Sequence, residues 1–140
     1  MSNKKIKKVG IVDGKRIKVR ADIDCINYND YVPAFSFLYA QDNYCLSQWE
    51  SRDIRKLIDR LAKFETKKWS EIHTQSVYQF SKVDKNGLSI KIPKEITDDT
   101  NIYYFKPFGQ NTPFRVFGIK ERHNFKFLWF DKKHEVYPGN

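Results

Sequence analysis

TPFRVFGIKERHNFKFLWFDKKHEVYPGN, residues Thr112 to Asn140, holds two apolar runs of alternating character separated by the polar step Arg122-His123. Alternation with period two sends successive side chains to opposite faces of a sheet. PFRVFGIKE and NFKFLWFDKK are therefore expected to pair as the last two strands of the chain. In the first of them Phe114, Val116 and Gly118 share one face, while Arg115, Phe117 and Ile119 share the other. Arg115 leaves a face that also carries apolar side chains, and a partly desolvated arginine makes charge-assisted, often bidentate bonds to phosphate. A structural ion pair to a carboxylate such as Asp131 would satisfy the same guanidinium.

Upstream, NIYYFKPFG reads as a strand stopped by Pro107 and Gly109, and GLSIKIP as a short or edge strand limited by Pro93. The segment RDIRKLIDRLAKFE changes period: Ile54, Leu57, Ile58, Leu61 and Phe64 recur at helical spacing and predict one buried stripe, with Ser51 placed to cap it. Arg52, Arg55, Lys56, Arg60 and Lys63 occupy the opposite face. Thr66 is expected to begin a second, shorter helix carrying Trp69 and Ile72 inward, with His73 near its end as a surface residue. Before the helices, YVPAFSFLYAQ contains a β-rich run that starts at Pro33. At the N-terminus, KKVGIVDGKRIKVRADI brackets Asp13-Gly14, a dipeptide suited to a turn with positive φ at both central residues. A basic β-hairpin over residues 1–21 follows, with Val9, Ile11, Ile17 and Val19 on one face. Helices segregated to one face of an antiparallel sheet of three to five strands make an α+β fold.

A chain of 140 residues suits a single domain. No apolar run reaches the roughly 18 residues of a membrane span, and the N-terminus lacks a signal-peptide stretch, so a cytoplasmic location without membrane partners is expected. Cys25 and Cys45 stand too far apart for a metal-binding pair, and no metal or cofactor is expected. The net charge of +9 is uneven: residues 1–20 hold eight Lys/Arg against one Asp, residues 21–105 eleven against thirteen acidic, and residues 106–140 seven against three. Clustered cations at both ends suit a polyanionic partner, because phosphates release counterions to them. A solubility-promoting surface would have the same composition.

The stretch FRVFGIKERHNFKFLWFDKKHEVY resembles the last two strands of the RelE/ParE toxin superfamily, where a strand arginine leads through a turn to an apolar strand with basic residues and a terminal tyrosine. The resemblance extends over residues 34–137, through the helices and NIYYFKPFG. It implies a β-α-α-β-β-β domain, RNA and the ribosome as partners, a neighbouring antitoxin protein, and metal-independent cleavage in which a 2′-hydroxyl attacks the adjacent phosphate. On that resemblance Arg115 would stabilise the phosphate and Tyr137 would lie near the scissile nucleotide, with Lys132, Lys133 and His134 in the basic stretch between. The candidate catalytic set is Arg115, Lys133, His134 and Tyr137; the candidate RNA-binding set is Lys15, Arg16, Lys18, Arg20, Arg55 and Lys132. Chain length and the N-terminal hairpin depart from the superfamily pattern, and Asp131 stands where a cation is more usual. The competing expectation is a noncatalytic module of a mobile element or phage-related system, gripping nucleic acid or a partner protein chiefly through the N-terminal cations.

Overall fold

The computed structural model describes residues 26–139, so the expected N-terminal hairpin, with its candidate RNA-binding residues Lys15, Arg16, Lys18 and Arg20, lies outside the described residues. The elements run β1 (Ala34–Ser36), α1 (Ser51–Phe64), α2 (Trp69–His73), β2 (Ser81–Lys82), β3 (Tyr103–Phe105), β4 (Arg115–Glu121) and β5 (Asn124–Asp131), with single 3₁₀ turns between some of them. Five strands form one sheet in the order β1-β5-β4-β3-β2. Neighbours pair antiparallel except β1, which lies parallel to β5. The α+β class stands, and the sheet is mixed: the helices carry the chain from β1 at one edge to β2 at the other, and the antiparallel run β2-β3-β4-β5 brings β5 back beside β1 in the same direction.

Helix α1 forms because its apolar residues repeat once per turn, and burial of Leu57, Leu61 and Phe64 against the sheet holds it there. Ile58, assigned to that stripe from the sequence, is 52% exposed: the apolar arc is wider than the surface that covers it. Ser51 is the first helical residue, and Glu50 precedes it as the cap without a capping side chain. Helix α2 starts at Trp69 rather than Thr66, where Glu71 Oε1 accepts the amide hydrogen of Lys68 at 2.8 Å. The Thr66 hydroxyl instead donates to Lys63 O and helps close α1.

Two cores flank the sheet. On the helical side Trp49, Leu57, Leu61, Phe64, Trp69 and Ile72 meet Phe105, Val116, Phe125, Phe127 and Phe130. The buried indoles keep their N–H groups satisfied, Trp49 donating to Phe130 O and Trp69 to His123 O. On the other side Val83, Ile96 and Ile102 join Tyr104, Phe117, Leu128, Trp129 and Val136. The segment 83–102 and the tail after β5 therefore cover the face that the helices leave free. Leu88, Ile90 and Ile92 point into this second core as their alternation predicts, but they form no strand. Ser89 ties the segment to the tail, its N–H donating to Val136 O and its hydroxyl to Glu135 O, and Pro93 has no N–H with which to extend the pairing.

The β4–β5 pair carries a bulge that decides which side chains face which core. The register runs Phe117↔Trp129 and then Gly118↔Phe127, leaving Leu128 as the extra residue. Phe125 and Phe127 face the helices, Leu128 and Trp129 both face away, and Phe130 returns to the helices. Without the bulge Trp129 and Asp131 would share the face of Phe125. Gly118 is required here, because a Cβ would lie 2.4 Å from Lys126 O and 2.6 Å from a Phe125 ring carbon.

Candidate functional site

The bulge brings Asp131 to the helix-free face, directly opposite Arg115 in the ladder. Arg115 is 4% exposed and Asp131 fully buried. No ion pair joins them among the described residues. One guanidinium nitrogen of Arg115 donates to Thr112 O at 2.5 Å and to Phe114 O at 2.9 Å, and Nε is buried without a partner. Burial lowers the pKa of Arg115, partly offset by Tyr104 and Asp131. The Asp131 carboxylate serves the tail instead: Oδ1 accepts from Lys133 N at 3.2 Å and Oδ2 from Val136 N at 2.8 Å.

That double acceptance shapes the tail. Closing the backbone on one carboxylate leaves His134 at φ 59°, in the left-handed region that costs an L-residue roughly 1–2 kcal/mol. His134 Nε2 is buried and unpartnered. Tyr137 packs edge-on against Tyr104 and Phe117, with centroids 5.7 and 6.5 Å apart, and its hydroxyl accepts from Asp84 N at 3.0 Å. Gly87 lies beneath the same ring, where a Cβ would come within 2.7 Å of a ring carbon.

Lys132 and Lys133 line an open cleft of about 330 Å³ together with Tyr44, Gln48, Asp131 and Glu135. Lys132 Nζ reaches Gln48 O at 3.4 Å. Burial, followed by the charges of Glu135 and Asp131, raises the pKa of Tyr44, which lines the same cleft. The four predicted catalytic residues thus share the helix-free side but not one environment. Arg115 is enclosed, Tyr137 is seated in the second core, His134 is half-buried, and Lys133 is exposed. Arg55 belongs to a different surface, on α1, where it pairs with Asp59 at 3.4 Å.

The sequence reading missed Lys106. It follows β3, is 7% exposed, and its ammonium donates to Gln79 Oε1. Gln79 in turn donates to the Tyr104 hydroxyl at 3.3 Å. Burial lowers the pKa of Lys106, and the charge of Arg115 lowers it further. Its signal in the sequence was its place one residue beyond an apolar strand, where alternation assigns it to the side of Tyr104.

A second polar group lies at the other end of β4. Lys120 Nζ donates to Asn29 Oδ1 at 2.8 Å, lies 4.6 Å from the Trp69 ring centroid and approaches His73 Nε2 to 3.4 Å. Burial and then the Lys120 charge hold the His73 pKa below its ordinary 6.5.

No protein-family model, curated protein or solved structure matches this chain. Among the described residues no helix is long and apolar enough to cross a membrane.

Proposed function

We propose that the protein is a toxin-type endoribonuclease that cleaves ribosome-bound mRNA without a metal, and that it is held in check by a partner antitoxin protein. The observation that carries this reading is the pattern of unpartnered groups. Among the described residues three buried side-chain nitrogens lack a partner, and two of them belong to Arg115 and His134. Buried donors and acceptors are almost always satisfied, so two orphans within one predicted catalytic set mark groups kept for a substrate. The left-handed backbone of His134 adds local strain of the kind that gathers at functional sites.

In the proposed reaction His134 takes the proton of the 2′-hydroxyl, the O2′–P bond forms, and the P–O5′ bond breaks. The leaving oxygen takes up a proton, leaving a 2′,3′-cyclic phosphate and a 5′-hydroxyl. Arg115 and Lys133 stabilise the charge that develops on the phosphorane, and holding the 2′-oxygen in line supplies much of the acceleration. The Tyr137 hydroxyl accepts from Asp84 N and keeps its own proton to donate.

Induced expression tests this reading. It predicts growth arrest with new 5′ ends on mRNA, and relief of both by His134→Ala with an unchanged circular-dichroism spectrum. Intact mRNA and normal translation after induction of the wild type would exclude it.

A specific observation favours a second reading, a noncatalytic nucleic-acid-binding module: Arg115 is enclosed and the Tyr137 hydroxyl already has a backbone partner. In that case charge reversal at Lys15, Arg16, Lys18 and Arg20 weakens binding more than loss of His134 or Tyr137, and affinity falls steeply with salt.

A further inference from the structure

Three charged residues lie in a row across the helix-free face. β4 and β5 pair Arg115 with Asp131, and the β3–β4 register, carried one residue past Phe105↔Val116, sets Lys106 beside Arg115. The Lys106 backbone holds that place through its amide bond to Tyr78 O at 2.7 Å. All three are more than nine-tenths buried, at 7%, 4% and 0% exposure. The row therefore contains two cations and one carboxylate.

This arrangement is unbalanced in two ways. Like charges side by side on adjacent strands repel, and buried charges are normally paired because desolvation is expensive. Asp131 offers Arg115 only its field, for no ion pair joins them among the described residues and the carboxylate oxygens accept from tail amides. Lys106 has a neutral amide oxygen for a partner, and Arg115 retains a buried Nε with none.

We propose that Lys106 and Arg115 form a subsite for one tetrahedral oxyanion, the phosphate group of a ligand. Such an anion neutralises the surplus positive charge and accepts from the Lys106 ammonium and the unpartnered Arg115 Nε together. Gln79 positions the subsite: it steers the ammonium and bonds the Tyr104 hydroxyl. Only the choice of an RNA phosphodiester as the natural anion rests on the function proposed above; the subsite itself stands on the charge row.

The test is thermal unfolding of the full chain in inorganic phosphate against chloride at equal ionic strength. A phosphate concentration about tenfold above its dissociation constant is expected to raise the wild-type midpoint by roughly 3–6 °C. Lys106→Met is expected to lose that response while unfolding at the same temperature or higher without phosphate, because it removes a repulsive charge. Lys106→Arg should keep the response. No phosphate effect on the wild type overturns the proposal, and that measurement needs no variant to fold. A full response in Lys106→Met overturns it equally. Adding the dinucleoside monophosphate ApA separates the sources: stabilisation by it as well assigns the subsite to an RNA diester, and stabilisation by phosphate alone assigns it to a terminal phosphate. Absence of RNA cleavage in cells would remove the nuclease reading and leave this result untouched.

Discussion

Arg115 and Asp131 face each other across the β4–β5 ladder without bonding, and each spends its hydrogen bonds on backbone instead. The pair acts as two anchors: Arg115 fastens the turn before β4, and Asp131 fastens the tail after β5. Removing Asp131 leaves two amide hydrogens unpaired and the cations beside it uncompensated. Asp131→Ala is therefore expected to destabilise the protein by about 3–5 kcal/mol. Urea unfolding would measure this, and a loss below about 1 kcal/mol would show that the tail does not depend on the carboxylate.

Gly118→Ala tests the bulge. The new Cβ meets a carbonyl oxygen of the neighbouring strand as well as the Phe125 ring, and neither can turn aside like a flexible side-chain tip. Overpacking of this kind costs about 1–3 kcal/mol. The variant should also shift the amide resonances of Leu128 and Trp129, which take their facing from the bulge. Unchanged stability together with unchanged resonances would contradict the assigned register.

Tyr137→Phe separates structure from chemistry. It removes one hydrogen bond from Asp84 N, a stability cost of about 1 kcal/mol, and leaves the ring packing against Tyr104 and Phe117. If the hydroxyl donates a proton in catalysis, RNA cleavage falls by at least tenfold in a protein that remains folded. Cleavage at the wild-type rate would assign Tyr137 a packing role only.

His73 and Lys120 make a pH-dependent contact. With its pKa lowered in the folded state, His73 gains its proton later than the unfolded chain does as the solution is acidified. The unfolded state then binds more protons, so this residue's contribution to stability rises with pH through the window just below 6.5 and is lost on acidification through it. NMR titration should show the His73 ring titrating below 6.5, and Lys120→Met should move it upward. A titration that ignores Lys120→Met would mean that burial alone sets it.

Much of this arrangement was legible in the sequence where one periodicity ran without interruption. Pro33 marked the start of β1, the stripe from Leu57 to Phe64 marked α1, and the final alternation marked β4 and β5. Period counting failed where geometry broke the period. Leu128 adds a residue inside β5, so the faces of Trp129 and Asp131 cannot be read by counting from Phe125. Leu88 to Ile92 alternate because one side is buried, which happens without a ladder when a loop lies on a core. The site was less legible than the fold. Alternation placed Arg115 on the face opposite Val116, but its enclosure depends on how segment 83–102 and the tail fold back over the sheet, and the place of Lys106 beside it follows only from a register between strands.

The parallel pairing of β1 with β5 has a bearing on how the chain is made. β1 precedes both helices, yet its partner is β5, and until β5 joins the sheet the helices have only Phe105 and Val116 of the buried sheet residues they cover. Contacts so distant along the chain close slowly and late. Until synthesis passes Asp131, Phe125, Phe127 and Phe130 are missing from the helical core and Arg115 has no strand beside it on that side. Arg115 and Asp131 therefore reach their facing positions only once β5 has joined the sheet.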